Sequence, residues 1–146
     1  MIELVSDIMI KDLITISEND TALKAAQLMT EKGVSSLIVL ADDQPIGIVT
    51  ERDFIKKICL KELKLSGVRV GEMMSRIRTS ASPDTPIDVA VQRMVNNRIR
   101  RLPIFENGKV VGIITVTDLA KHLRTILLLN STLSSGQLSH MNIENN

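Results

Sequence analysis

The sequence predicts a mixed α/β (α+β) fold made of two similar units, and three observations carry that expectation. The stretch Gly47-Ile48-Val49-Thr50-Glu51-Arg52-Asp53 returns as Gly112-Ile113-Ile114-Thr115-Val116-Thr117-Asp118, 65 residues further on. Each copy reads as a buried strand running into a helix start, with β-branched residues before Thr-x-x-Asp and an amphipathic segment after it. Upstream of each copy lies a helix with apolar residues at i, i+3, i+4 and i+7, then a second apolar strand. A unit repeated at this length places a cleft between its copies.

Composition limits the function. A chain of 146 residues can bury about two-thirds of the surface it exposes when unfolded. Eighteen Lys and Arg against 17 Asp and Glu give a formal charge of +1, which argues against a nucleic-acid or membrane surface and leaves anion binding to local charge. Phe54 and Phe105 are the only aromatic residues, too few for a base-stacking platform. Cys59 is the only cysteine, so neither an intramolecular disulfide nor a thiolate zinc cage can form, and a reducing, cytoplasmic setting is expected. Glu3, Asp7, Lys11 and Asp12 charge the first residues, unlike a signal peptide, and Ile126-Leu127-Leu128-Leu129 is too short to span a bilayer.

In chain order, residues 3 to 9 return as 68 to 74, pairing Val5 with Val70, Asp7 with Glu72 and Met9 with Met74, and both read as short helical turns. Short extended segments follow at 13–16 and 77–80, then turn residues. Asp20-Thr21 and Asp84-Thr85 each open a helix, since either oxygen can accept a free helix N–H, and Pro86 suits a first turn. The apolar faces are Ala22, Ala25, Ala26 and Met29 in one helix and Ile87, Ala90, Val91 and Met94 in the other.

Residues 33–40 and 98–105 each read as a loop entering a strand. The second turns back through Glu106-Asn107-Gly108-Lys109, a strong hairpin signal, and the first through the looser Asp42-Asp43-Gln44-Pro45. Closing helices put Phe54 and Ile58 on one face in the first half, and Leu119, Leu123 and Ile126 in the second. The units are residues 1–65 and 66–127. Residues 128–146 read as a polar tail, either mobile or a weak partner-dependent helix, and no fold is assigned to them.

This order resembles a tandem pair of cystathionine β-synthase (CBS) domains, a Bateman module. The resemblance rests on Val5-Ser6-Asp7-Ile8-Met9, Arg100-Arg101-Leu102-Pro103-Ile104 and the two Gly-x-x-Thr-x-x-Asp stretches, and covers Val5 to Arg124. It implies two βαββα units packed sheet to sheet about a pseudo-two-fold axis, and pairing of two modules into a homodimer. It also implies a regulatory sensor that binds AMP, ADP, ATP or S-adenosylmethionine in clefts between the units and signals to an effector protein.

Thr50 and Asp53, like Thr115 and Asp118, stand where a strand becomes a helix, so side chains and free helix N–H groups can converge on one ligand. A carboxylate can accept both bonds of a vicinal diol, and the resemblance makes Asp53 or Asp118 the ribose anchor. The plainer reading is a capping box, which the same Thr can also serve. Thr15 and Thr79 end short strands at matching places, and by resemblance they receive adenine or ribose, with simple strand propensity as the alternative.

Arg100 and Arg101 precede Pro103 where many family members have Arg-His-Leu-Pro, so Arg101 stands at the His position. Their guanidinium groups suit phosphate, although adjacent charges also suit a solvated loop. Arg52 can reach a phosphate in the cleft, whereas Thr117 holds the matching place. Ser35 and Ser36 stand where the second half has Arg100 and Arg101. The second site is therefore expected to prefer a phosphorylated nucleotide, and the first to bind more weakly or take a less charged ligand.

Signatures of a P-loop, a dinucleotide fold, a zinc protease and a Ser-His-Asp hydrolase are missing, so no enzyme is expected. Mg²⁺ could enter only on a nucleotide's phosphates. The alternative is a protein-interaction or dimerisation module with vestigial clefts.

Overall fold

Each unit is centred on a hairpin of β-branched residues whose alternate side chains face a helix layer. The structure is a computed structural model that describes residues 3–144, with side chains through Thr132. Strand β1 (Thr15–Ser17) pairs in parallel with β2 (Ser36–Ala41), β2 antiparallel with β3 (Gln44–Thr50), and β3 antiparallel with β4 (Ser75–Arg76). In the second unit β5 (Arg101–Glu106) and β6 (Lys109–Thr115) repeat the hairpin, with the same irregularity after Ile104 as after Val39.

The outer strands of the second sheet shrink to single bridges, Ala81 with Ile104 and Ile10 with Ile113. In the first sheet the Ile38 N–H donates to the Ile14 carbonyl at 2.9 Å. The matching residue is Pro103, which has no N–H to give. The ladder also corrects one expected match. Ile16 lies opposite Val39 and Ala81 opposite Ile104, so Thr15 corresponds to Ser80, and Thr79 to Ile14.

Both hairpins turn on two residues of positive φ, Asp42 (49°) and Asp43 (61°), then Asn107 (52°) and Gly108 (76°). The first turn is therefore as tight as the second, and Gln44 and Pro45 belong to β3.

Helix α1 (Ala22–Lys32) is capped by Thr21, whose Oγ1 accepts the Lys24 N–H at 3.2 Å, and it ends at left-handed Gly33. Helices α2 (Glu51–Phe54), α3 (Val70–Met73), α4 (Ile87–Asn97) and α5 (Val116–Glu144) follow, with α4 the repeat of α1 and the start of α5 the repeat of α2. Pro86, not Asp84 or Thr85, holds the N-cap position of α4. Thr85 is buried and its hydroxyl accepts the Ser82 N–H at 3.0 Å, the role Asp20 has toward Ser17. Ala22, Ala25, Met29, Ala90 and Met94 are buried as expected, while Ala26, Ile87 and Val91 are half-buried.

The two cores do not follow chain order. Val5 lies in the second core with Ala90, Leu102, Ile104 and Ile114, whereas Val70, Met73 and Met74 lie in the first with Ala22, Leu37 and Val49. Val5 donates to the Thr85 carbonyl and Val70 to that of Asp20, each at 2.8 Å. Ile87 donates to Glu3 at 3.0 Å and Ala22 to Val68 at 2.8 Å, again 65 residues apart. Each unit's leading segment thus completes the other unit. The expected helical turns are there, as a 3₁₀ turn at Val5–Asp7 and as α3.

The motif glycines admit these crossing segments. A Cβ on Gly47 would lie 2.5 Å from Met74 Sδ and 2.9 Å from the Ser75 carbonyl. One on Gly112 would lie 2.7 Å from Met9 Sδ and 3.2 Å from the Ile10 carbonyl. Ile38, Ile48 and Ile113 are buried together and join the two sheets.

The closing helices differ. After α2 comes a π-helical turn, Ile55–Cys59, and Ile58 is 2% exposed. Helix α5 has no such turn, and Leu123, expected in the core, is 57% exposed, while Leu119 and Ile126 are half-buried. The stretch given no fold from sequence continues α5 through Glu144, and residues 145 and 146 lie outside the described residues. No helix among the described residues is long and apolar enough to cross a membrane.

Candidate functional site

At each strand–helix junction the Thr-x-x-Asp pair closes on itself. In the first unit the Thr50 N–H and hydroxyl donate to Asp53 Oδ2 at 2.9 and 3.2 Å. In the second the Thr115 N–H and hydroxyl donate to Asp118 Oδ2 at 3.0 and 2.7 Å, and the Asp118 N–H donates back to the Thr115 hydroxyl at 3.1 Å. The capping-box geometry is present in both. It uses one carboxylate oxygen and leaves the other for a further partner.

The fate of that second oxygen separates the two junctions. Asp53 is buried, and its Oδ1 accepts the Ser75 hydroxyl at 3.0 Å and meets the Lys57 ammonium at 3.0 Å. Asp118 is half-buried, and its Oδ1 has no hydrogen-bond partner among the described residues. The first N–H of each helix is already taken, Glu51 by the Ser35 carbonyl at 3.4 Å and Val116 by that of Arg100 at 3.0 Å.

The remaining candidates fall around these junctions. Ser36 pairs with Thr50 and Arg101 with Thr115 across their hairpins. Arg101 Nη2 donates to the Ser35 hydroxyl at 3.1 Å, linking the two units, while its Nε is buried without a partner among the described residues. Arg100 and Arg52 are exposed, Pro103 is buried in β5, Thr15 is exposed and Thr79 half-buried. Among them Ser35 and Arg101 are in direct contact. Thr15 instead lines a cavity of about 360 Å³ with Asp20, Lys24, Asp42 and Asp43, at the far end of β1. A larger cavity of about 490 Å³, between α1 and α2, takes in Ser35 but not Asp53.

Sequence reasoning missed Lys57, Ser75, His122 and Glu3. Lys57 and His122 stand at matching places, yet Lys57 turns to Asp53 and His122 Nε2 to the Glu3 carboxylate. The signal available was the change from Lys to His one helical turn after each motif acid.

Comparison with known proteins fits this architecture. The family model described as "CBS domain" matches residues 5–59 and 70–125. Protein MK0525 of Methanopyrus kandleri is 37% identical over 79% of this chain and 60% of its own length. The chain spans 23% of the homoserine O-acetyltransferase of Methanohalobium evestigatum, at 36% identity. CBS domain-containing protein YhcV of Bacillus subtilis is 32% identical over 95% of this chain and 97% of its own. A signal-transduction protein with CBS domains from Burkholderia ambifaria superposes with a TM-score of 0.76 at 33% identity, covering 83% of this chain and 93% of that one. The CBS domain pair of protein MJ0100, solved with 5-methylthioadenosine and S-adenosyl-L-methionine, gives 0.75 at 26% identity over 86% and 98%. With both repeats matched and both halves of the fold in place, this chain belongs to the CBS domain family, as a tandem pair.

Proposed function

We propose that the chain is a regulatory module that takes an adenosine-containing ligand in the cleft beside Thr115 and Asp118. The observation that carries this reading is the unpartnered Oδ1 of half-buried Asp118, next to an Oδ2 already fixed by Thr115. A carboxylate held in that way accepts a ribose diol without first giving up a protein partner. The MJ0100 domain pair, which binds adenosine compounds, supports the ligand class. Arg100 and Arg101 supply the positive charge for a phosphate, with Mg²⁺ arriving on the nucleotide, and Thr79 lies two residues before the Ala81 bridge to β5. The first cleft has Ser35 and Ser36 in place of the arginines and lacks their positive charge.

A ligand touching both units stabilises one arrangement of them, and the shift equals its differential affinity for the two arrangements. An effector protein reads that arrangement. Two modules pair through the exposed apolar positions Ile55, Val95 and Val116.

Scanning calorimetry with AMP, ADP, ATP, S-adenosylmethionine and a guanosine control tests this reading. At about 100 times its Kd a ligand adds roughly 2.7 kcal/mol. The melting point should then rise by about 5 to 10 °C, and the rise should vanish in Asp118→Ala. Arg100→Ala should weaken ATP more than Ser35→Ala does. No shift with any adenosine compound would leave the interaction module as the better reading.

A further inference from the structure

We infer that Lys57 is a built-in occupant of the first cleft's acid, so the chain carries one adenosine site and not two; the ligand part rests on the reading proposed above. Asp53 is 6% exposed and both of its oxygens are engaged, Oδ2 by Thr50 and Oδ1 by the Ser75 hydroxyl and the Lys57 ammonium, each at 3.0 Å. The ammonium is itself fixed, donating to the carbonyls of Met73 at 2.8 Å and Met74 at 3.1 Å. A diol would have to displace a cation and a hydroxyl from a carboxylate already withdrawn from water. It would replace a charge-assisted bond with a neutral donor and strand the ammonium without its counter-ion.

The Thr clamp recurs 65 residues away, but the serine and the lysine do not. The place of Ser75 is taken by Ile10, and that of Lys57 by His122, which turns away to Glu3. The segment exchange delivers Ser75 to Asp53 and the two carbonyls to Lys57, while the opposite exchange brings apolar Ile10 to the second sheet. One fold therefore presents the same motif twice, once closed by its own lysine and once open.

Equilibrium dialysis of the full chain with AMP and with S-adenosylmethionine counts the sites. One site per chain is expected, lost in Asp118→Asn, with a second appearing in Lys57→Met. Because Lys57→Met removes a structural contact, a graft gives an independent check. His122→Lys combined with Ile10→Ser and Glu3→Gln should close the second cleft and abolish binding. Carboxylate labelling with a water-soluble carbodiimide and glycine ethyl ester, read by mass spectrometry, needs no ligand. Asp118 should label while Asp53 stays protected. Two sites in the unmodified chain, an unchanged site in the graft, or equal labelling of Asp53 and Asp118 would overturn the inference. If no adenosine compound binds but Asp53 alone is protected, the lysine closure stands and the ligand reading falls.

Discussion

Arg98 sits at the left-handed end of α4 with φ 53°, where Gly33 ends α1 with φ 64°. A side chain there strains the backbone, because Cβ crowds the carbonyl, and glycine has none. Arg98→Gly should therefore stabilise the chain by about 0.5 to 1 kcal/mol, and Gly33→Ala should destabilise it by about 1 kcal/mol. Urea midpoints measured together with slopes would show both. Gly47 and Gly112 answer to a different demand, the close approach of Met74 and Met9. Replacing either with Ala should cost about 1 to 3 kcal/mol through overpacking. The motif made the two junctions look alike at this scale. What makes Asp53 and Asp118 differ lies at residues 57 and 122 and at 75 and 10, outside the motif, so the sequence pattern could not separate them.

At the scale of elements, the 65-residue spacing made the hairpins, the long helices and both helical turns legible, since period-2 and period-3.6 patterns repeat in register. The closing helices were less so. The π-helical turn after Phe54 accompanies the burial of Ile58, whereas in α5, which has no such turn, its counterpart Leu123 is exposed. Apolar spacing alone gives both the same role. Ile58→Ala should then cost about 2 to 5 kcal/mol, while Leu123→Ala should stay within about 0.5 kcal/mol. Thermal or urea unfolding of the two variants makes the comparison. Pro103 acts at this scale as well, since its missing N–H reduces the second sheet's outer strand to one bridge.

For the molecule as a whole, the exchanged segments couple the two cores. Val5 completes one and Val70 the other, and both are fully buried. Calorimetry should accordingly show a single cooperative transition. A fragment of residues 11–77 retains every buried residue of the first core, whereas residues 1–65 omit Val68, Val70, Met73 and Met74. The longer-reaching fragment should show helical circular dichroism with a melting transition, and residues 1–65 should not. The repeat pattern hid this arrangement, because Val5 and Val70 carry the same local signal whether a segment packs on its own unit or on the neighbouring one.

The exchange also sets an order of events during synthesis. The first unit can close once residue 76 has left the ribosome, because β4 ends there. Residues 3–10 must wait with Val5 unburied until β6, ending at Thr115, has emerged to receive them. This apolar stretch, made before the first unit, is thus among the last to find its place. Contacts of such long sequence separation form slowly, and a stretch left waiting in this way is where a chaperone would first take hold.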